Sequence, residues 1–62
     1  MKEQLYEVEY TYELKDEAGE DANVVNAWAT SMSSAQRKAE EIIRKNNPEI
    51  KNLRVGIARL FS

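Results

Sequence analysis

Residues 6–14 read YEVEYTYEL and decide the fold. Tyrosine, valine and leucine occupy the even positions, whereas glutamate and threonine occupy the odd positions. Such alternation predicts a β-strand with one buried face and one face turned to solvent. We expect this first strand to extend from about residue 4 to residue 14, with Glu7, Glu9 and Glu13 on its exposed side.

The segments that follow predict a second strand, a helix and a third strand. Polar residues 15–23, KDEAGEDAN, predict a mobile hairpin loop, and NVVNAWATSM at 23–32 predicts the second strand. Ala35, Ala39, Ile42 and Ile43 recur at helical spacing in SSAQRKAEEIIRKNNP, residues 33–48. Residues 50–61, IKNLRVGIARLF, predict the third strand.

Signals at the two ends of the helix fix its predicted limits. Ser33 and Gln36 have the spacing of a capping box, in which each side chain bonds the backbone of the other residue. Pro48 cannot continue a helix, so it predicts the end. We therefore expect the helix to begin near Ser33 and to stop before Pro48.

The order of elements predicts an α+β fold with two layers, β-β-α-β, in a single domain that covers residues 1–62. A hairpin followed by a crossover through the helix places the third strand beside the first. The predicted sheet is antiparallel, with strand order 2-1-3, and the helix packs on one of its faces. The tyrosines and valine of the first strand then face the helix.

Two side-chain orientations stay open at the sequence level. In strand two, Trp28 either faces away from the helix or points into the core, because neither side of this strand is cleanly polar. In strand three, Leu53, Val55 and Ile57 predict the inner side, with Arg54 placed to neutralise nearby carboxylates. Since Arg59 breaks that parity, either the strand leaves the core there or a β-bulge turns Leu60 inward.

Composition excludes several classes of function. The 62 residues contain no cysteine and no histidine, which removes disulfides, the common zinc sites and most nucleophile–base pairs. We therefore expect no metal, no cofactor and no enzymatic activity. No apolar run is long enough to span a membrane, and the acidic start does not resemble a signal peptide. The sequence predicts a cytoplasmic protein.

The charge distribution suggests how the chain binds a partner. Residues 1–23 hold eight acidic and two basic residues, a net charge of −6, whereas residues 24–62 hold seven basic and three acidic residues, a net charge of +4. The predicted function is non-enzymatic protein binding to a partner with a basic surface. The predicted partner-binding residues are Glu7, Glu9, Glu13, Glu17, Glu20, Asp21 and Trp28. The competing interpretation is that this acidic face is only solvated.

A second class of function uses the basic side of the helix. Arg37, Lys38, Arg44 and Lys45 would contact the phosphates of a nucleic acid, although no known nucleic-acid-reading motif is present. Self-association is a further expectation, because a small domain without disulfides gains stability from a partner. We expect a homodimer that forms through strand two, whose two sides are largely uncharged.

The stretch VVNAWATSMSSAQRKAEEIIRKNNPEIKNLRVGIARL resembles small accessory proteins encoded by phages and prophages, among them anti-CRISPR and other host-takeover inhibitors. The shared pattern is a strand that ends in alanine and serine, a short alanine-spaced helix and a closing strand. The resemblance implies a stoichiometric inhibitor or adaptor that acts on a host protein. It assigns no individual site residue.

Overall fold

The computed structural model describes residues 2–61 as a three-stranded sheet with a helix on one face. Its elements are β1 (Gln4–Leu14), β2 (Glu20–Ala29), α1 (Met32–Asn46) and β3 (Ile50–Leu60). Both strand pairs are antiparallel and the strand order is β2-β1-β3, which confirms the predicted α+β fold. The helix in this part of the chain is neither long nor apolar enough to cross a membrane.

The β1–β2 hairpin is longer than the sequence predicts. The connection spans residues 15–19, where Gly19 has a φ of 105° that other residues rarely adopt. Strand β2 therefore begins at Glu20, three residues before its predicted start, and ends at Ala29. Acidic residues are poor strand formers, but pairing with β1 overrides that preference here.

The helix starts at a different serine from the one predicted. Ser31 is the N-cap, and its Oγ accepts a hydrogen bond from the backbone N–H of Ser34 at 3.2 Å. The predicted capping box of Ser33 and Gln36 is wrong. The Gln36 side chain instead donates to the carbonyl oxygen of Gly56 at 2.7 Å, which ties the first turns of the helix to β3.

The core between helix and sheet is small and rich in alanine. Its buried members are Tyr6, Val8, Ala27, Ala29, Ala35, Ala39, Ile43 and Ala58. Val8 and Ile43 are the largest fully buried side chains. Alanines let the helix approach the sheet closely, so little volume is left for larger residues. Ile42 was predicted in the same helical stripe, but it is 38% exposed.

A β-bulge changes the inward side of β3. The register of β3 against β1 shifts between Val8 and Tyr10, so that Gly56 and Ile57 together oppose a single β1 residue. As a result Ala58 is 3% exposed and Ile57 is 66% exposed. The prediction that Ile57 faces the core is wrong, and the alternative with a bulge is confirmed.

The glycine of the bulge allows the strands to approach closely. A Cβ on Gly56 would lie 3.3 Å from the carbonyl oxygen of Glu9. The bulge also restores pairing beyond it, since Leu60 stands opposite Tyr6 and shares its side of the sheet. The predicted inward turn of Leu60 is therefore correct in direction, although its side chain remains half exposed.

Candidate functional site

The side of the sheet that faces away from the helix, here called the open face, consists of five cross-strand rows. From one end to the other, written as β2–β1–β3, the rows are Trp28–Leu5–Phe61, Asn26–Glu7–Arg59, Val24–Glu9–Ile57, Ala22–Thr11–Arg54 and Glu20–Glu13–Lys51. Neighbours within a row have Cβ atoms roughly 4.5–5.5 Å apart, so their side chains can interact. The first row is wholly apolar, and each of the other four rows contains at least one charged residue.

Trp28 points to the open face and is 58% exposed. Its neighbours in β2, Ala27 and Ala29, are buried on the helix side of the sheet. The interpretation with Trp28 outward is confirmed, and the alternative that placed it in the core is wrong. The physical reason is space. The helix lies so close to the sheet that the inward positions of β2 hold the methyl group of an alanine, and an indole would not fit there.

The first row joins Trp28 to two apolar residues that the sequence analysis did not select. Leu5 stands opposite Trp28, and the backbone N–H of Phe61 donates to the carbonyl oxygen of Leu5 at 2.9 Å. Phe61 is 52% exposed. Leu5 is an odd-numbered residue of β1 like Glu7 and Glu9, so the alternation of the strand could have predicted its place on the open face. The side taken by Phe61 depends on the bulge and could not be read from the sequence.

The second and third rows contain an ion-pair cluster. Arg59 lies 2.9 Å from a carboxylate oxygen of Glu9 and 3.8 Å from one of Glu7. We expected Arg54 to neutralise these carboxylates, but the ion pairs involve Arg59. The side chains are one-third to more than one-half exposed, so each pair contributes at most about 1 kcal/mol. Two carboxylates share one guanidinium, which leaves one net negative charge.

An open groove of about 620 Å³ lies in the middle of the open face. Its apolar walls are Val24 on β2 and Ile57 on β3, and Gly56 beside Ile57 has no side chain to fill it. The full lining is Glu9, Tyr10, Thr11, Ala22, Asn23, Val24, Arg54, Gly56 and Ile57. A groove of this kind suits an apolar side chain of a partner, with charged groups at its rim.

The remaining predicted acidic residues are divided between the far end of the open face and other parts of the molecule. Glu13 and Glu20 stand opposite each other in the last row of the open face, where Glu13 also accepts a hydrogen bond from Asn52 at 3.1 Å. Glu17 lies in the hairpin turn, whereas Asp21 pairs with Tyr12 and so lies on the helix side. Among residues 2–61, no three carboxylates are placed to share a metal ion.

The basic residues of α1 are partly engaged in contacts within the chain. The four predicted for nucleic-acid binding are Arg37, Lys38, Arg44 and Lys45. Lys38 Nζ donates to a carboxylate oxygen of Glu3 at 2.9 Å and to the carbonyl oxygen of Trp28 at 2.7 Å. Arg44 pairs with Glu40 at 3.0 Å. Both contacts reduce the positive charge that this side of the helix offers to a ligand.

The tyrosines of β1 belong to the helix side rather than to the open face. The ring centroids of Tyr10 and Tyr12 are 5.7 Å apart. Burial raises the pKa of the Tyr10 hydroxyl above its usual value of 10.0, and the neighbouring Tyr12 raises that pKa further. Tyr10 therefore keeps its proton at neutral pH and adds no charge to the surface.

The open face combines apolar contact with a small net charge, which is the chemistry of a binding surface. It offers the row of Trp28, Leu5 and Phe61 at one end and the central groove farther along, with the ion-pair cluster between them. No protein-family model, curated protein or solved structure matches the chain. We therefore infer the function from this surface.

Proposed function

We propose that the chain is a protein-binding module that acts without catalysis and binds its partner on the open face. The observation that carries this proposal is the placement of exposed large apolar side chains. Within residues 2–61 seven large apolar side chains are exposed, and four of them lie on the open face: Val24, Trp28, Ile57 and Phe61. Exposed apolar clusters with charged neighbours mark interaction surfaces, and tryptophan is the residue most typical of binding hot spots.

The charges of the open face suggest the chemistry of the partner. The cluster of Glu7, Glu9 and Arg59 carries one net negative charge between two apolar regions. A partner that places one lysine or arginine between two apolar side chains would match this arrangement. In the last row Glu13 and Glu20 outnumber Lys51, which adds one negative charge, whereas Arg54 adds one positive charge in the row before it. The open face as a whole keeps one net negative charge. We therefore propose a partner with a basic surface.

The role of such a complex follows from the resemblance to phage-encoded accessory proteins. The resemblance implies a stoichiometric inhibitor or adaptor that occupies a surface of a host protein. The composition suggests that the complex forms in the cytoplasm. A basic protein surface often serves to bind nucleic acid. A domain with exposed carboxylates could compete for that surface.

Comparative capture from a nuclease-treated cell lysate tests the proposal. Three immobilised baits are used: the natural chain, Trp28→Ala and Arg37→Ala. Arg37 is the matched control because it is exposed on α1, on the other side of the molecule. We expect a protein that the natural chain and Arg37→Ala retain and that Trp28→Ala loses. Identical captured proteins with all three baits would contradict a binding site on the open face.

A further inference from the structure

The two edges of the sheet differ in their readiness to pair with another strand. Strand β3 has two register shifts against β1, and Asn52 adopts a φ of 52° beside one of them. It also carries three cations on the open face, Lys51, Arg54 and Arg59. Bulges and charges are the features by which natural sheets block their edges. Strand β2 pairs with β1 over ten residues without a shift.

The backbone groups that β2 turns outward can be identified from the hydrogen bonds. The carbonyl oxygen of Leu5 accepts from Phe61, so the backbone groups of Leu5 point toward β3. Because direction alternates along a strand, the even-numbered residues of β1 point toward β2. The register then makes the odd-numbered residues of β2 bond to β1. The even-numbered residues Ala22, Val24, Asn26 and Trp28 face the open edge.

Two side-chain contacts agree with this assignment. The outward N–H of Val24 donates to the side-chain oxygen of Asn23 at 2.8 Å, and the outward carbonyl of Trp28 accepts from Lys38 at 2.7 Å. Within residues 2–61 no side chain bonds the outward groups of Asn26, the carbonyl of Val24 or the N–H of Trp28. Unpaired edge groups of this kind are a template for another strand.

We propose that β2 pairs antiparallel with β2 of a second copy of the chain, with the two Asn26 residues facing each other across a two-fold axis. In this register the Asn26 backbones bond each other, and each Trp28 N–H meets the Val24 carbonyl of the second copy. The two groups already bonded, the Val24 N–H and the Trp28 carbonyl, stand opposite each other. The existing side-chain contacts therefore compete only with the hydrogen bond from the Val24 N–H to the Trp28 carbonyl of the second copy. The hydrogen bonds between the two Asn26 residues, and from the Trp28 N–H to the Val24 carbonyl, stay available.

A second copy fits this edge better than it fits the edge of β3. Residues 22–30, which face each other in the proposed register, read ANVVNAWAT and contain no charge. Self-pairing therefore opposes no like charges, whereas pairing through β3 would bring its cations together. Trp28 would stand beside Val24 of the second copy, and aromatic residues pair favourably with β-branched ones.

The dimer would enlarge the open face. Because paired residues share a side of the sheet, both helices lie on one side and the two open faces join into one surface of six strands. Each Trp28 would then lie between Leu5 and Val24 of the second copy, which extends the apolar row. This inference does not rest on the proposed function, because it follows from the edge of β2 and not from a partner.

Single cysteines test the register, since the natural chain has none. In the proposed dimer the two residues at position 26 have Cα atoms about 5.5 Å apart, within the range of a disulfide. The two residues at position 22 are about 26 Å apart by strand geometry. We expect Asn26→Cys to form a disulfide-linked dimer on mild oxidation, and the matched control Ala22→Cys to remain a single chain. Equal cross-linking of both variants, or of neither, would overturn the inference.

Sedimentation of the natural chain provides the measurement without a cross-link. The expected mass at high micromolar concentration is twice the 7.1 kDa of the single chain. A single-chain mass under those conditions would overturn the inference, whatever partner the open face binds.

Discussion

Arg59 Nη2 lies 2.9 Å from Oε1 of Glu9, which places a cation of β3 beside an acidic residue of β1 on the open face. The same guanidinium also approaches Glu7, at 3.8 Å. The charge of Glu7 and Glu9 is therefore half neutralised in the fold. Arg59 sets how much negative charge this part of the surface presents.

Glu9→Gln and Arg59→Gln should change the association rate in opposite directions. With a basic partner, Glu9→Gln should lower the on-rate and its salt dependence, whereas Arg59→Gln should raise both. Both variants should keep the fold, because each ion pair that they remove is exposed and contributes at most about 1 kcal/mol to the free energy of unfolding. Association kinetics with the captured protein at several salt concentrations measure the effect. Rates that move in the same direction would contradict the charge assignment.

Adjacent isoleucines of α1 should differ sharply in their contribution to stability. Ile43 is 2% exposed, and Ile43→Ala should lower the free energy of unfolding by about 2–5 kcal/mol. A domain of this size rarely has more than about 3–5 kcal/mol in total, so this variant should lose most of its stability and unfold at a much lower urea concentration. Ile42→Ala is the matched control and should cost less than about 1 kcal/mol. Urea denaturation compares them, and equal losses would contradict the packing of α1.

Two serines distinguish the observed helix start from the predicted one. Ser31→Ala removes the acceptor for the Ser34 N–H and should cost about 1 kcal/mol of stability. Ser33→Ala should have little effect, because Ser33 is not the cap. Thermal unfolding of both variants measures the difference. A larger loss of stability for Ser33→Ala than for Ser31→Ala would contradict the observed N-cap and support the predicted capping box.

The strand order and most of the element limits could be predicted because they depend on local patterns. Alternation in β1 predicted its limits, and Pro48 predicted the end of α1. The inner side of β3 could not be predicted, because the bulge depends on the approach of Gly56 to the carbonyl of Glu9. That contact joins residues far apart in sequence. A strict alternation of sides along β3, which ignores the bulge, therefore predicted Ile57 on the core side, whereas it lies on the open face.

The candidate site was predicted in part. Glu7, Glu9 and Trp28 lie on the open face as expected, since their sides follow from alternation in β1 and β2. Leu5 was missed because it lies near the start of β1, where a pattern has few neighbours to support it. Phe61 was missed because its side of the sheet depends on the bulge in β3. The pairing of carboxylates with Arg59 depends on the register between strands, which composition does not reveal.

Nucleic-acid binding through the helix should be absent or weak. Lys38 and Arg44 already contact acidic residues of the chain, and the net charge of the protein is −2. A gel-shift assay with DNA and RNA at low salt should show no complex. Tight binding that weakens steeply with salt would instead support the role of Arg37, Lys38, Arg44 and Lys45.

The affinity of Trp28→Ala for the captured protein tests most directly whether the open face is the binding surface. Since Trp28 is 58% exposed, the variant should keep nearly the melting temperature of the natural chain. Its dissociation constant should rise by about 30-fold or more, equivalent to about 2 kcal/mol, as expected for the loss of an aromatic anchor. A folded Trp28→Ala variant that binds as tightly as the natural chain would contradict the proposal.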